Sequence, residues 1–305
     1  MEWFGVANLC RAAKAYNSIK YGALLRHRRR LYRRELDALI EENGPLTGSP
    51  NVIRDGWALD TSKSLPHLDR LLEEADRYID LHGGKPREKG PRGYIQDILR
   101  QNQLAVSPSF LDFALSSDLL TTVCRYLEFI PVLSDTVPPG VRLVESTIRG
   151  QLDDGVYRQS QLHHLDFHDS PLVYVIVLLR DVTVQSGPFT YLSASTSARA
   201  ARALRYWQRK SPFRVTDERM SSVVDRDKEE HILACPRGTV LFMDSSRCFH
   251  FGSRDAVNTR YQMMYAFVSP CRTDFAEVYM QPRRFPKREG DSRLRRLALD
   301  KTLRA

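Results

Sequence analysis

The residues of this chain best suited to grip a metal ion are His164-Leu165-Asp166 and, far along the sequence, His250. Two imidazoles and one carboxylate suit a divalent transition metal and leave three adjacent coordination positions open for reactants. A His-x-Asp tripeptide is weak evidence by itself. Chance supplies about one in a chain of this composition, and the sequence holds two, His67-Leu68-Asp69 and His164-Leu165-Asp166. Local periodicity separates them. The first lies in SLPHLDRLLEEADRYIDLHGG, whose leucines recur at helical spacing. On a helix, positions two apart point about 200° from each other, so that pair cannot easily share an ion. The second precedes LVYVIVLL, and in extended backbone residues two apart project from one face.

His250 lies in SSRCFHF, just past the strand-like TVLFMD, so antiparallel pairing can return it beside His164. Arg260 then opens RYQMMYAFVS. A guanidinium at the start of an interior strand is costly unless it faces an anion, and a carboxylate is its natural bidentate partner. Other side chains near these positions receive plainer readings. His168 shares the face of His164 and Asp166 and is expected at the rim, whereas His163 points the other way and is expected to pack. Cys248 reads as a filler beside His250, and Tyr174 stands between core packing and contact with a ligand in the site.

The elements that must bring these residues together change character along the chain. The N-terminal basic stretch and its continuation to Glu42 read as helix, ended by Asn43-Gly44-Pro45, and the punctuation up to residue 56 reads as a linker. A helix with Pro66 near its start and Gly83-Gly84 at its end follows, and another helical region runs from Pro108 to Phe129. Beyond Pro138-Pro139-Gly140 the period becomes that of strands. VRLVESTI, LVYVIVLLRDV, PFTYLS, HILAC, TVLFMD, RCFHF and RYQMMYAFVS are short, rich in β-branched and aromatic residues, and parted by Gly, Pro, Ser or Asp. Ala194 to Lys210 reads as a helical interruption which, with the polar run to Glu230, makes a flap over one mouth. The expected fold class is α+β with a mainly β core: a double-stranded β-helix, or jelly roll, flanked by N-terminal helices.

Four stretches in order, SQLHHLDFHD, LVYVIVLLRDVTVQSGPFTYLSAS, RGTVLFMDSSRCFHFGSR and TRYQMMYAF, resemble the successive motifs of the phytanoyl-CoA dioxygenase-like iron(II)/2-oxoglutarate oxygenases over about residues 140–270. Carried over by position, the resemblance implies that His164, Asp166 and His250 bind Fe(II) and that Arg260 holds the C5 carboxylate of 2-oxoglutarate. It implies oxidation of a substrate by O2 with succinate and CO2 as co-products. Halogenating relatives carry a small residue where Asp166 stands, so hydroxylation is the implied outcome. Two departures concern co-substrate and substrate contacts. The turn that usually reads Pro-Gly-Ser-His is Ser193-Ala194-Ser195-Thr196, and the common Arg-x-Ser is Arg260-Tyr261-Gln262. Such relatives act on lipids, acyl thioesters, amino acids, antibiotics and sugars, so the resemblance implies a reaction type and a small-molecule or lipid-like substrate without naming it. The organisation that follows is a basic amphipathic helical segment over 1–45, the oxygenase domain over 46–290 and a helical tail over 291–305.

Bulk composition agrees with one catalytic unit. A chain of 305 residues with 42% apolar content can bury one substantial core. Its longest apolar run, Leu172 to Leu179, is far short of the roughly 20 residues a membrane helix needs. MEWFGVANLC lacks the marks of a cleaved export signal, and five cysteines without a CxxC pair read as reduced thiols. The expected place is the cytoplasm. Nearly all of the net charge of +9 sits in residues 1–34, where nine Lys or Arg meet the single acid Glu2. A solvated helix resting loosely on the domain is the plain reading of that segment. Peripheral contact with an anionic membrane, aided by Trp3, Phe4, Val6 and Leu9, comes next, and nucleic acid last. The competing function class is a non-catalytic jelly-roll module that binds a metal or ligand and is targeted by its basic N-terminus to membrane surface or nucleic acid. Neither the oligomeric state nor the substrate, whose contacts are expected in residues 194–230 and the helical half, is legible.

Overall fold

The computed structural model describes residues 5–100, 102–208 and 211–303. Trp3, Phe4 and Lys210, which figure in the expectations above, lie outside them. The strands are β1 (Trp57–Asp60), β2 (Ile95–Asp97), β3 (Val132–Leu133), β4 (Val141–Ser146), β5 (Val173–Leu178), β6 (Thr190–Tyr191), β7 (His231–Ile232), β8 (Val240–Asp244), β9 (His250–Phe251) and β10 (Arg260–Val268). The helices are α1 (Val6–Asn43), α2 (Leu68–His82), α3 (Gln103–Val106), α4 (Ser109–Ala114), α5 (Ser117–Leu127), α6 (Ala194–Ala203), α7 (Asp217–Ser221), α8 (Arg226–Glu229), α9 (Ala276–Tyr279) and α10 (Arg293–Leu299). A major sheet runs β1-β8-β5-β10-β4-β2 with β3 paired to β10, and a minor sheet runs β7-β6-β9. Every pairing is antiparallel.

The centre of the major sheet is buried on both faces, which explains why β5 reads as an unbroken apolar run. Val173, Val175 and Val177 pack outward against the helices, while Tyr174, Ile176 and Leu178 pack inward with Phe189 and Tyr191 beside the minor sheet. Two sheets closed over a shared interior form the expected jelly roll. β10 alternates in chemistry as well as direction. Met263, Tyr265 and Phe267 join the helical layer, and Arg260, Gln262 and Met264 look into a cavity. The helical layer is built by the stripes Leu31, Leu36 and Leu39 of α1, Leu68, Leu71 and Leu72 of α2, and the inner faces of α4, α5 and α10. A smaller cluster of Leu165, Leu192, Val215, Met220 and Phe249 seats the flap.

Several expectations need correction. The punctuated stretch before residue 56 leads straight into β1, an edge strand paired with β8, and β2 forms the other edge beside β4. Strands of four and three residues are too short to show a period, so neither announced itself. The helical region from Pro108 to Phe129 is broken at Leu115 and Ser116, where Ser116 turns extended. The strand-like HILAC, PFTYLS and RCFHF hold only two strand residues each.

The basic segment does not rest loosely. α1 is one helix of 38 residues whose inner face is buried, including Arg28. The Arg28 guanidinium donates to the carbonyl oxygens of Ile130 (3.2 Å), Leu297 (3.0 Å) and Asp300 (2.7 Å). Burial pushes its pKa down to about 10, which still leaves it charged at neutral pH. One cation of the cluster is therefore a clamp between α1, the approach to β3 and α10.

Candidate metal centre

Backbone pairing brings the sequence-distant ligand candidates together. His163 exchanges hydrogen bonds with Val215 at 3.1 and 2.9 Å, and His164 does so with His250 at 3.1 and 3.0 Å. Directly opposed residues of an antiparallel pair stand on one face, and the two imidazole centroids lie 4.2 Å apart. The Asp166 amide donates to the Ser245 carbonyl at 3.0 Å, which anchors the same segment two residues on. His164 Nε2 is 3.9 Å from Asp166 Oδ1, and His250 Nε2 is 3.6 Å from Asp166 Oδ2. One ligand atom from each of the three lies within 4.8 Å of the others.

Each imidazole is oriented through its other nitrogen. His164 Nδ1 donates to the Leu162 carbonyl at 2.8 Å, and His250 Nδ1 to the Cys248 carbonyl at 2.9 Å. A carbonyl can only accept, so Nδ1 keeps the hydrogen and each Nε2 presents a lone pair. Burial first, then the neighbouring His250 and Arg214, hold His164 well below the ordinary histidine range, and burial lowers His250 too. Burial alone would raise Asp166, yet the facing His250 and His164 leave it below the usual carboxylate value. Two neutral imidazoles and an ionised carboxylate converging from one side are the donor set that suits Fe(II) with open coordination positions.

The triad opens into a cavity of about 470 Å³ whose wall includes Tyr94, Arg142, Tyr174, Phe189, Arg214 and Arg260. Arg260 is buried, donates to the Gly187 carbonyl, and reaches Ser253 Oγ at 2.9 Å and Ser146 Oγ at 3.3 Å. Its Nε has no partner, and no carboxylate meets it among the described residues. Burial pushes its pKa down to about 9. A buried cation answered only by dipoles is costly to hold.

The remaining candidates fall where their chemistry allows. His67 lies just ahead of α2, with Asp69 in the first turn of that helix, and the pair takes no part in the donor cluster. His163 is buried with Nε2 bonded to Glu230 at 2.9 Å. His168 edges the cavity with Nδ1 bonded to Asp274 at 2.6 Å. Cys248 packs against Gly56, whose left-handed φ of 87° serves a tight turn. A Cβ added there would sit 2.6 Å from the Cys248 sulfur. Tyr174 is a buried wall residue. Sequence reasoning missed Ser146, Ser253 and Arg214. Ser146 stands opposite Arg260 in the β4/β10 register, a relation visible only once the strands are paired.

Fold and site together define a jelly-roll protein with a candidate two-histidine, one-carboxylate metal centre. No known family profile and no curated protein sequence matches the chain. Among solved structures, EctD from S. alaskensis, crystallised with 2-oxoglutarate and 5-hydroxyectoine, aligns at a TM-score of 0.50 and 14% identity over 81% of this chain and 83% of that one. SnoN, a non-heme alpha-ketoglutarate-dependent epimerase from nogalamycin biosynthesis, aligns at a TM-score of 0.47 and 16% identity over 84% of this chain and 94% of that one. At such identities the likeness to EctD is one of fold.

Proposed function

We propose that the chain is an iron(II)- and 2-oxoglutarate-dependent oxygenase of the phytanoyl-CoA dioxygenase-like kind that hydroxylates a small-molecule or lipid-like substrate. One observation carries this reading: a buried guanidinium without a carboxylate partner shares its cavity with the converged His164, Asp166 and His250. Those three would hold the iron, and Arg260, backed by Ser253 and Ser146, would hold the far carboxylate of 2-oxoglutarate. Bound iron with 2-oxoglutarate and O2 supplies an oxidant that puts one oxygen atom into a substrate C–H bond and the other into succinate, with release of CO2. The protein's part is placement. The Leu162 and Cys248 carbonyls keep both Nε2 atoms facing the metal position. Phe189, Phe251 and Met264 line the wall with apolar surface that limits water at the reacting carbon.

The test is spectroscopic. Anaerobic addition of iron(II) and 2-oxoglutarate is expected to raise a weak charge-transfer band in the visible, and O2 should then discharge succinate. A correctly folded protein that shows no band at saturating iron and 2-oxoglutarate refutes the reading.

The outer face of α1 favours a second, compatible property: contact with an anionic membrane surface. Arg26, Arg29, Arg30, Arg33 and Arg34 are exposed, and none meets a carboxylate among the described residues. Ile19, 88% exposed, lies on the outer side of the same helix. No helix among the described residues is long and apolar enough to cross a membrane, so any attachment through α1 is lateral.

A further inference from the structure

The cavity holds more positive charge than a metal site and one dicarboxylate would neutralise. Its wall contains four arginines, Arg92, Arg142, Arg214 and Arg260, against two acids, Asp97 and Asp166. Arg142 Nε meets Asp97 Oδ2 at 3.1 Å, and His168 is answered by Asp274. A divalent ion with Asp166 carries one net positive charge and Arg260 adds another, so the two carboxylates of 2-oxoglutarate close the balance there. Arg214 and Arg92 are left over. Arg214 sits beside the metal centre because Val215 pairs with His163, one residue from His164. Its Nη1 is buried without a hydrogen-bond partner among the described residues. Burial pulls its pKa below the ordinary arginine value, and the one acid among the groups acting on it is Asp166, which the metal would claim. Arg92 is exposed on the same wall and, among the described residues, reaches only the Gln159 amide oxygen, at 3.5 Å. Leaving the part-buried Arg214 unanswered is costly, whereas the exposed Arg92 merely adds its charge to the same wall.

Resting on the oxygenase reading, we infer that the substrate is itself an anion, a small molecule bearing a carboxylate, sulfate or phosphate, whose charged group docks on Arg214 and Arg92. Arg214 lies in the polar stretch before α7 and Arg92 just ahead of β2, so the flap and the loop into β2 share the recognition while β10 keeps the co-substrate.

Methyl phosphate is a suitable probe, offered without oxygen to protein loaded with manganese(II) and saturating 2-oxoglutarate. It is expected to bind, and the manganese should accelerate its phosphorus relaxation, whereas neutral trimethyl phosphate shows neither effect. Arg214→Gln is expected to weaken methyl phosphate about tenfold or more, as loss of a charge-assisted pair does, and to leave 2-oxoglutarate affinity unchanged. Arg92→Gln, at an exposed position, should weaken it less. Methyl phosphate binding that survives both substitutions overturns the inference. So does a loss of 2-oxoglutarate affinity in Arg214→Gln as large as that in Arg260→Gln, since Arg214 would then serve the co-substrate. Retained 2-oxoglutarate affinity in Arg260→Gln defeats the oxygenase reading instead, and the methyl phosphate measurement on manganese-only protein still decides whether Arg214 takes an anion.

Discussion

At the scale of single residues, the two imidazoles of the centre are set for a metal before one arrives. A histidine whose pKa is depressed has already lost its proton at neutral pH, so a cation need not displace it. Because burial lowers both His164 and His250, metal loading near pH 7 is expected to release well under one proton. Calorimetry in buffers of different ionisation enthalpy counts the protons, and a release near two would show imidazolium rings in the empty site. Asp166→Ala removes the anionic ligand and is expected to weaken metal binding more than the 10–100-fold typical of lost supporting contacts. Arg260→Met separates the roles differently. It should cost 2-oxoglutarate roughly 2–5 kcal/mol of binding with metal affinity intact, yet raise the stability of the ligand-free protein, because an unanswered buried cation gives way to apolar volume. A destabilised ligand-free variant in denaturant would show that Ser253, Ser146 and the Gly187 carbonyl already compensate the charge. That His164, Asp166, His250 and Arg260 would meet in one cavity was legible because the signal is local: residue type, a spacing of two in extended backbone, and position beside an apolar strand. Arg214 was not legible. It lies in a stretch without periodicity, and what sets it apart is a missing partner, which no sequence displays.

At the scale of elements, the strands that could be read in the sequence are those whose burial dictates composition. β5 and β8 are covered on both faces and are apolar but for the hydrogen-bonded Asp244 at the end of β8, whereas β10 mixes Arg260 and Gln262 with Met263 and Tyr265 because its faces meet a cavity and a helical layer. β1 and β2 are edges, part-exposed and short, and their place is set by β8 and β4 rather than by their own residues. α1 was legible as a helix but not as a packed one, since a buried arginine is written with the same letter as a solvated one. Arg28 donates to carbonyls at the approach to β3 and at the end of α10, so Arg28→Met, close in length and without donors, is expected to strand buried carbonyls at about 1–3 kcal/mol each before partial relaxation. Urea unfolding should register a loss of at least about 2 kcal/mol. A loss below about 0.5 kcal/mol, the range of ordinary surface changes, would mean that α1 holds to the core through Leu31, Leu36 and Leu39 alone.

At the scale of the whole molecule, charge and chemistry are segregated. The cavity with the candidate metal centre lies within the jelly roll, while the excess positive charge is spread along α1, and Arg28 alone of that cluster's arginines is withdrawn into the core. The exposed Arg26, Arg29, Arg30, Arg33 and Arg34 of the helix can act together on a surface of opposite sign, at about 1 kcal/mol each beside an anionic leaflet. That sum supports only weak, reversible attachment, and it must collapse as the Debye length shrinks from about 10 Å at 0.1 M salt to about 3 Å at 1 M. The full chain is therefore expected to sediment with phosphatidylserine-rich vesicles at low ionic strength, to ignore neutral phosphatidylcholine vesicles, and to come free as salt rises. Exchange of Arg26, Arg29, Arg30, Arg33 and Arg34 for glutamine should abolish the binding and leave succinate formation untouched. Vesicle binding that survives those five substitutions would place the contact elsewhere on the molecule. Equal salt-sensitive retention on duplex DNA would instead make the face a general polyanion binder, with the membrane as one partner among several.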